Sequence, residues 1–111
     1  MPGLEDDEAN VLAEIPAGED NARPVSEIAE DLAMTDTDPT KYKIRQIIRR
    51  LIIEHEKPIG SCSNGYFLIE SRQELDAYLD DLRQRKRGIE KRIRAIRSAF
   101  SSETGPQHSL F

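Results

Sequence analysis

The sequence predicts a mainly α-helical fold with one small β-hairpin, closed by a long helix. Three stretches carry that expectation. Between Tyr42 and Ile52, residues Ile44, Ile47, Ile48, Leu51 and Ile52 recur at offsets of three and four, so they share one helical face. Tyr42, Lys43, Gln46, Arg49 and Arg50 fall on the other side. Next, Pro58-Ile59-Gly60 and Tyr66-Phe67-Leu68-Ile69 flank Asn64-Gly65, the dipeptide that best accepts the positive φ of a type I′ hairpin turn. Finally, Ser71 followed three residues later by Glu74 has the form of a capping box and opens a helix that can run to about Phe100.

Taken in order, Met1 to Glu8 reads as a frayed acidic start. It leads into a short helix over Glu5 to Ile15, with Val11, Leu12 and Ile15 on one face and acids at the positive end of its dipole. Pro16-Ala17-Gly18 stops this helix, and Glu19 to Ala22 is loop. Arg23-Pro24-Val25 is a brief extended segment of edge type, because proline has no N–H for a central ladder. Ser26 is expected to cap a second helix over Glu27 to Met34, with Ile28, Ala29 and Leu32 inward. Thr35 to Asp38 connects it to a third helix, capped by Asp38, begun by Pro39 and ending near His55. Pairing about Asn64-Gly65 would place Cys62, Phe67 and Ile69 on one hairpin face and Ile59, Tyr66 and Leu68 on the other. Phe67 and Ile69 are expected inside. Ser101 to Phe111, with Gly105-Pro106, reads as a disordered tail. The expected organisation is a first domain over residues 1–71, a long helix over 72–100 and a tail over 101–111.

Length and composition bound the rest. The chain has 111 residues, of which 37% are hydrophobic and 33% charged, and it has no tryptophan, so its core must be small. A single cysteine, Cys62, excludes an intramolecular disulfide and suits a reducing cytoplasm. No apolar run is long enough to span a membrane, and the acidic start is unlike a signal peptide.

The net charge of −5 conceals two halves of opposite sign. Residues 1–40 hold twelve acids against one cation, Arg23, whereas residues 41–111 hold fifteen cations against nine acids. Such segregation preserves a positive surface on a net acidic chain.

The last helix carries a second pattern. Leu75, Leu79, Leu82, Lys86, Ile89, Ile93, Ile96 and Phe100 alternate steps of four and three, a 3.5-residue repeat. Packing on the first domain accounts for Leu75, Tyr78, Leu79 and Leu82. It does not reach Ile89 to Phe100, which lie roughly 10 to 27 Å beyond Leu82 along the axis at 1.5 Å per residue. Leu82, Ile89, Ile93, Ile96 and Phe100 are therefore the expected dimerisation residues, with a second copy of the chain as partner. Around this seam runs a basic stretch from Arg83 to Arg97 with one acid, Glu90, suited to solvation, DNA backbone or an acidic protein.

Catalytic readings find little. Two histidines and one cysteine, widely separated, give no metal-ligand spacing, so no metal and no cofactor are expected. Asp36 and Asp38 are better read as turn and cap than as a phosphotransfer pair. Cys62 has no neighbouring histidine to activate it, and no glycine-rich phosphate loop exists. The chain is not expected to be an enzyme.

In order and in detail the chain resembles the winged-helix proteins, more narrowly the small ones of phages and prophages. The residues that carry the likeness are Arg23-Pro24-Val25-Ser26 before helix two, Ile48-Arg49-Arg50-Leu51 in helix three, and Pro58-Ile59-Gly60-Ser61 with Gly65-Tyr66-Phe67 in the wing. Glu74-Leu75 and the helix through Arg83 and Ile89 continue it, so the likeness spans roughly residues 8 to 100. The chain departs from it at Thr35 to Asp38, which is acidic and longer than a tight helix-turn-helix turn.

The resemblance implies a winged helix-turn-helix followed by a long C-terminal helix, which the 3.5-residue repeat suits to a coiled coil, in a cytoplasmic DNA-binding protein of transcription-regulator or accessory type. It implies double-stranded DNA as partner, with Lys41, Tyr42, Lys43, Arg45, Gln46, Arg49 and Arg50 of helix three at the major groove. Ser61, Ser63 and Asn64 of the wing would lie on the backbone. Winged helices also serve as adaptors, so a protein partner held by the basic face and last helix is the alternative.

Overall fold

The apolar periodicity around Ile44 produces the helix on which the other elements are built. In a computed structural model that describes residues 3–104, Asp38–Ile53 is helical (α3), and its Ile44, Ile47, Ile48 and Leu51 are at most 2% exposed. Two shorter helices, α1 (Asp6–Ala13) and α2 (Val25–Asp31), pack on α3. They bring Val11, Val25, Ile28 and Ala29, with Ile15 just past α1, against its buried face. Each large aliphatic group buried there contributes about 1.5–3 kcal/mol. Ile59 of strand β1 (Ile59–Cys62) closes the cluster.

The chain divides into two compact units, Met1–Leu75 and Asp76–Phe111. Among the described residues it is mainly helical, with four α-helices and one two-stranded antiparallel hairpin formed by β1 and β2 (Gly65–Leu68). A short 3-10 turn, Glu19–Asn21, lies beside both strands.

Several boundaries differ from expectation, each for a local reason. Helix α2 starts two residues early, with Pro24 rather than Ser26 at the cap position, because the Pro24 carbonyl accepts from the N–H groups of Glu27 and Ile28. It also ends early, at Asp31. Ala33 takes φ 57°, so its N–H reaches the Glu30 carbonyl while Met34 N–H reaches that of Ala29. This is the Schellman arrangement, with alanine where glycine is usual. Helix α3 is capped by Thr37, whose hydroxyl accepts from Thr40 N–H at 3.3 Å, leaving Asp38 as the first helical residue.

The hairpin is shifted by one residue. Its register pairs Ile59 with Leu68, Gly60 with Phe67, Ser61 with Tyr66 and Cys62 with Gly65, so the turn is Ser63-Asn64. Neither turn residue has positive φ; only Gly65 does, at 126°. Gly65 answers a different demand. A Cβ there would lie 2.0 Å from the Arg23 carbonyl oxygen, because Arg23 pairs antiparallel with Tyr66 along the free edge of β2. Arg23 N–H donates to the Tyr66 carbonyl and Tyr66 N–H to that of Arg23. Ala17 adds a parallel bridge to Leu68.

With this register, Ile59, Tyr66 and Leu68 face the helical core, contrary to expectation. Phe67 is buried as expected, but on the opposite face, over Gly60, where a Cβ would come within 2.8 Å of its ring. Ile69 is only half-buried.

The last helix, α4, spans Arg72–Thr104, about 50 Å at 1.5 Å per residue. Ser71 Oγ accepts from Glu74 N–H at 3.1 Å, one half of the expected capping box. The other half is absent: the Glu74 carboxylate accepts instead from the N–H groups of Glu70 and Glu19, at 3.0 and 2.9 Å. It thereby fastens the start of α4 to the 3-10 turn. The helix continues past Phe100 into the expected tail, and residues 105–111 of that tail lie outside the described residues. Among the described residues no helix is long and apolar enough to cross a membrane.

Two substitutions should move stability in opposite directions. Gly65→Ala should cost more than about 1 kcal/mol, from positive φ and the Arg23 clash. Ala33→Gly should stabilise by about 0.5–1 kcal/mol by relieving a left-handed alanine. Urea unfolding of each variant measures both; a neutral Gly65→Ala would contradict the close approach.

Candidate nucleic-acid interface

The outward face of α3 is a chemically mixed stripe. Tyr42, Gln46, Arg49 and Ile53 follow one another at offsets of four, three and four, so they line up along the helix. All four are exposed, Tyr42 at 64% and Ile53 at 69%. Arg45 flanks the stripe on one side and Lys43 on the other, both exposed. Burial of Ile44, Ile47, Ile48 and Leu51 fixes the helix behind them, so the stripe is held by a rigid element. Gln46, Arg49, Arg50, Ile53 and Glu54 line an open groove along it.

The seven sequence-selected residues of α3 divide into two groups. Arg50 is turned into the fold: its Nε donates to Glu8 Oε2 at 3.0 Å and its NH2 nitrogen to Asp7 Oδ2 at 3.4 Å. Lys41 Nζ lies 3.3 Å from Asp36 Oδ1, in the acidic turn before the helix. By contrast, among the described residues Lys43, Arg45 and Arg49 enter no ion pair. Lys43 also borders a cleft beside Asp7 and Asn10, between α1 and the chain after α2. In the hairpin, Ser63 and Asn64 are exposed at the turn, while Ser61 is half-buried in β1.

Glu8 organises the inner side and was not singled out by the sequence reading. It is 3% exposed. One of its oxygens accepts from Glu5 N–H at 2.9 Å, capping α1, and lies 3.1 Å from His55 Nε2. The other accepts from Arg50. The Glu5 N–H and the Arg50 guanidinium hold its carboxyl below the ordinary value of 4.5, more than burial raises it. A signal was present: Glu8, Val11 and Ile15 stand at offsets of three and four, so Glu8 lies on the apolar face of α1.

Glu8 and His55 also lie with Glu54 close enough to share a cation, a grouping that positions 8, 54 and 55 could not reveal. The guanidinium already on Glu8 opposes a metal there, and the arrangement joins α1 to α3 through the Arg50–Glu8 ion pair, with His55 Nε2 beside the same carboxylate.

In the second unit, Ile89, Ile93, Ile96 and Phe100 are 48–62% exposed along one face of α4, and Leu82 is 39% exposed. Ile93, Ile96, Arg97 and Phe100 line a shallow apolar groove. Arg85 pairs with Asp81 one turn earlier. Comparison with protein-family models, with curated proteins and with solved structures returns no match.

The Glu8 and Glu74 carboxyls both titrate below their ordinary value, Glu74 because two backbone N–H groups donate to it. Their stabilisation is therefore complete above the unfolded carboxyl range and is lost as pH falls through the lowered folded values. The urea midpoint should decline below about pH 4.5, and Glu8→Gln should lower the neutral plateau and flatten the acid limb. An acid limb unchanged in Glu8→Gln would remove Glu8 as the acid-sensitive clamp.

Proposed function

We propose that this is a winged-helix DNA-binding protein of phage or prophage type, a regulator or accessory factor that works as a pair of copies. Helix α3 enters the major groove and the Ser63-Asn64 turn lies on the backbone. The observation that carries this reading is the Gln46 and Arg49 stripe with its flanking Lys43 and Arg45. These cations remain without an ion pair among the described residues, in a unit whose acids have already engaged Arg23, Lys41 and Arg50.

The chemistry suits duplex DNA. Arg49 can bond guanine O6 and N7 in bidentate fashion, and Gln46 can do the same with adenine N6 and N7. One helical turn separates them, so both reach one groove. Lys43 and Arg45, at the sides of the stripe, suit the phosphates that border it. Ile53 offers an apolar surface one turn beyond Arg49, of the kind that meets a thymine methyl group. At the hairpin, Ser63 and Asn64 supply polar contacts to backbone without reading sequence. Arg50 and Lys41 are not assigned to DNA, since their charges are spent on Glu8, Asp7 and Asp36. Two copies joined through α4 would present two such helices to a pseudo-palindromic site.

Two variants separate reading from anchoring. Arg49→Ala should cost about 1–3 kcal/mol on a selected site and relax preference at one base pair. Lys43→Ala should weaken selected and random duplex alike and lower the salt slope by about one unit. Neither should melt the domain, because both side chains project away from the core. Binding titrations at several salt concentrations, with melting as control, measure all three. If Arg49→Ala unfolds the chain and Lys43→Ala leaves the slope unchanged, the face is structural, and an adaptor that binds an acidic protein becomes the better reading.

A further inference from the structure

The open stripe on α4 has an orientation written into its charges. Ile89, Ile93 and Ile96 are 53, 48 and 62% exposed, and Phe100 extends their face. The earlier seam positions Leu75 and Leu79 are half-buried, so the open part lies beyond Leu82. We infer that a second copy covers it in antiparallel sense, with Ile93 of each chain against the partner's Ile96 and Ile89 of each against the partner's Phe100. This rests on the α4 pairing proposed above and adds its direction and register.

Parallel pairing is opposed by charge. In a coil with a 3.5-residue repeat, residues flanking the seam meet flanking residues of the other helix. A parallel pair would set Arg85 near the partner's Glu90, which is favourable, but Arg92 against the partner's Arg97. Lys86 would meet the partner's Lys86 inside the seam. The whole basic stretch from Arg83 to Arg97, relieved only by Glu90, would also lie beside its own copy.

The antiparallel register removes each conflict. Glu90 faces the partner's Arg97, and by symmetry Arg97 faces the partner's Glu90. Arg92 lies beside the partner's Ala99. The segment from Arg87 to Lys91 runs along the partner's uncharged Ser98 to Ser102. Lys86 moves to the last turn of the partner's helix, where a cation complements the dipole. Four apolar layers result, two of Ile93 with Ile96 and two of Ile89 with Phe100.

Other antiparallel registers are worse. Setting Ile89 against Ile93 brings Glu90 onto Glu90 and Arg92 onto Arg92. Setting Lys86 against Ile89 would gain Glu90 with the partner's Arg83 and Arg97 with the partner's Asp76, but it places Arg85 against Arg92, seats Lys86 among the apolar layers, and requires Leu75 and Leu79, already half-buried, in the seam.

Charge exchange in the full chain, followed by sedimentation equilibrium near physiological salt, tests direction and register together. Arg97→Glu should weaken the dimer about tenfold, because two attractive pairs become repulsive, and Glu90→Lys should do likewise. The double variant should return to near the wild-type constant. A tighter dimer with Arg97→Glu would overturn the proposal in favour of a parallel pair, since that change relieves the Arg92 clash. A double variant weaker than either single one would overturn the register. A wild-type monomer at tens of micromolar, weaker than roughly −7 kcal/mol, would overturn the pairing itself. DNA binding by α3 is judged separately, by the Arg49→Ala titration.

Discussion

Arg23 is the constraint on which the first unit closes. Its guanidinium donates to the Glu14 carbonyl at the end of α1, to the Glu14 carboxylate, to the Glu27 carbonyl in α2 and to Asp31. These partners raise its pKa further, the Asp31 hydrogen bond most of all. Its backbone meanwhile forms the bridge to Tyr66 on the free edge of β2. One residue therefore ties two helices and the hairpin together. Such a hub tolerates little change, because a removed partner leaves charged groups facing one another in a partly dry site. It also dictates its surroundings: Gly65 must be glycine because the Arg23 carbonyl occupies the space of a side chain.

The charge segregation of the sequence acquires a structural meaning from this arrangement. The acids of the first forty residues are not all solvated surface. Glu14 and Asp31 hold Arg23, Asp36 holds Lys41, and Asp7 and Glu8 hold Arg50. They neutralise cations near the fold's own seams and spare those on the outer side of α3. A net acidic protein can thus keep a basic face, since charges beyond about 10 Å are largely screened at physiological salt.

What could be read from the sequence was what depends on local periodicity. The existence of α3, its buried Ile44, Ile47, Ile48 and Leu51, the hairpin and the long last helix all follow from patterns within a few turns. What escaped depended on distant partners. The turn slipped from Asn64-Gly65 to Ser63-Asn64 because Gly65 serves Arg23, a demand invisible to a rule for isolated hairpins. The Glu74 carboxylate left its expected capping role for the N–H of Glu19, and Arg50 left the candidate interface for α1. Ile59 and Phe67 are both buried, on opposite faces, so alternation alone could not choose between them.

The bridge from Arg23 to Tyr66 bears on how the chain reaches this state. Helix α3 needs only its neighbours to begin forming, but β2 obtains its second edge partner from roughly forty residues upstream. That loop must close before the contact can stabilise anything, and closure entropy grows as the logarithm of its length. The hairpin is thus coupled kinetically to the docking of α1 and α2, although sequence neighbours alone could begin it. Non-local pairing of this kind slows folding relative to a helical bundle of equal size, and it makes the first unit assemble as one cooperative body.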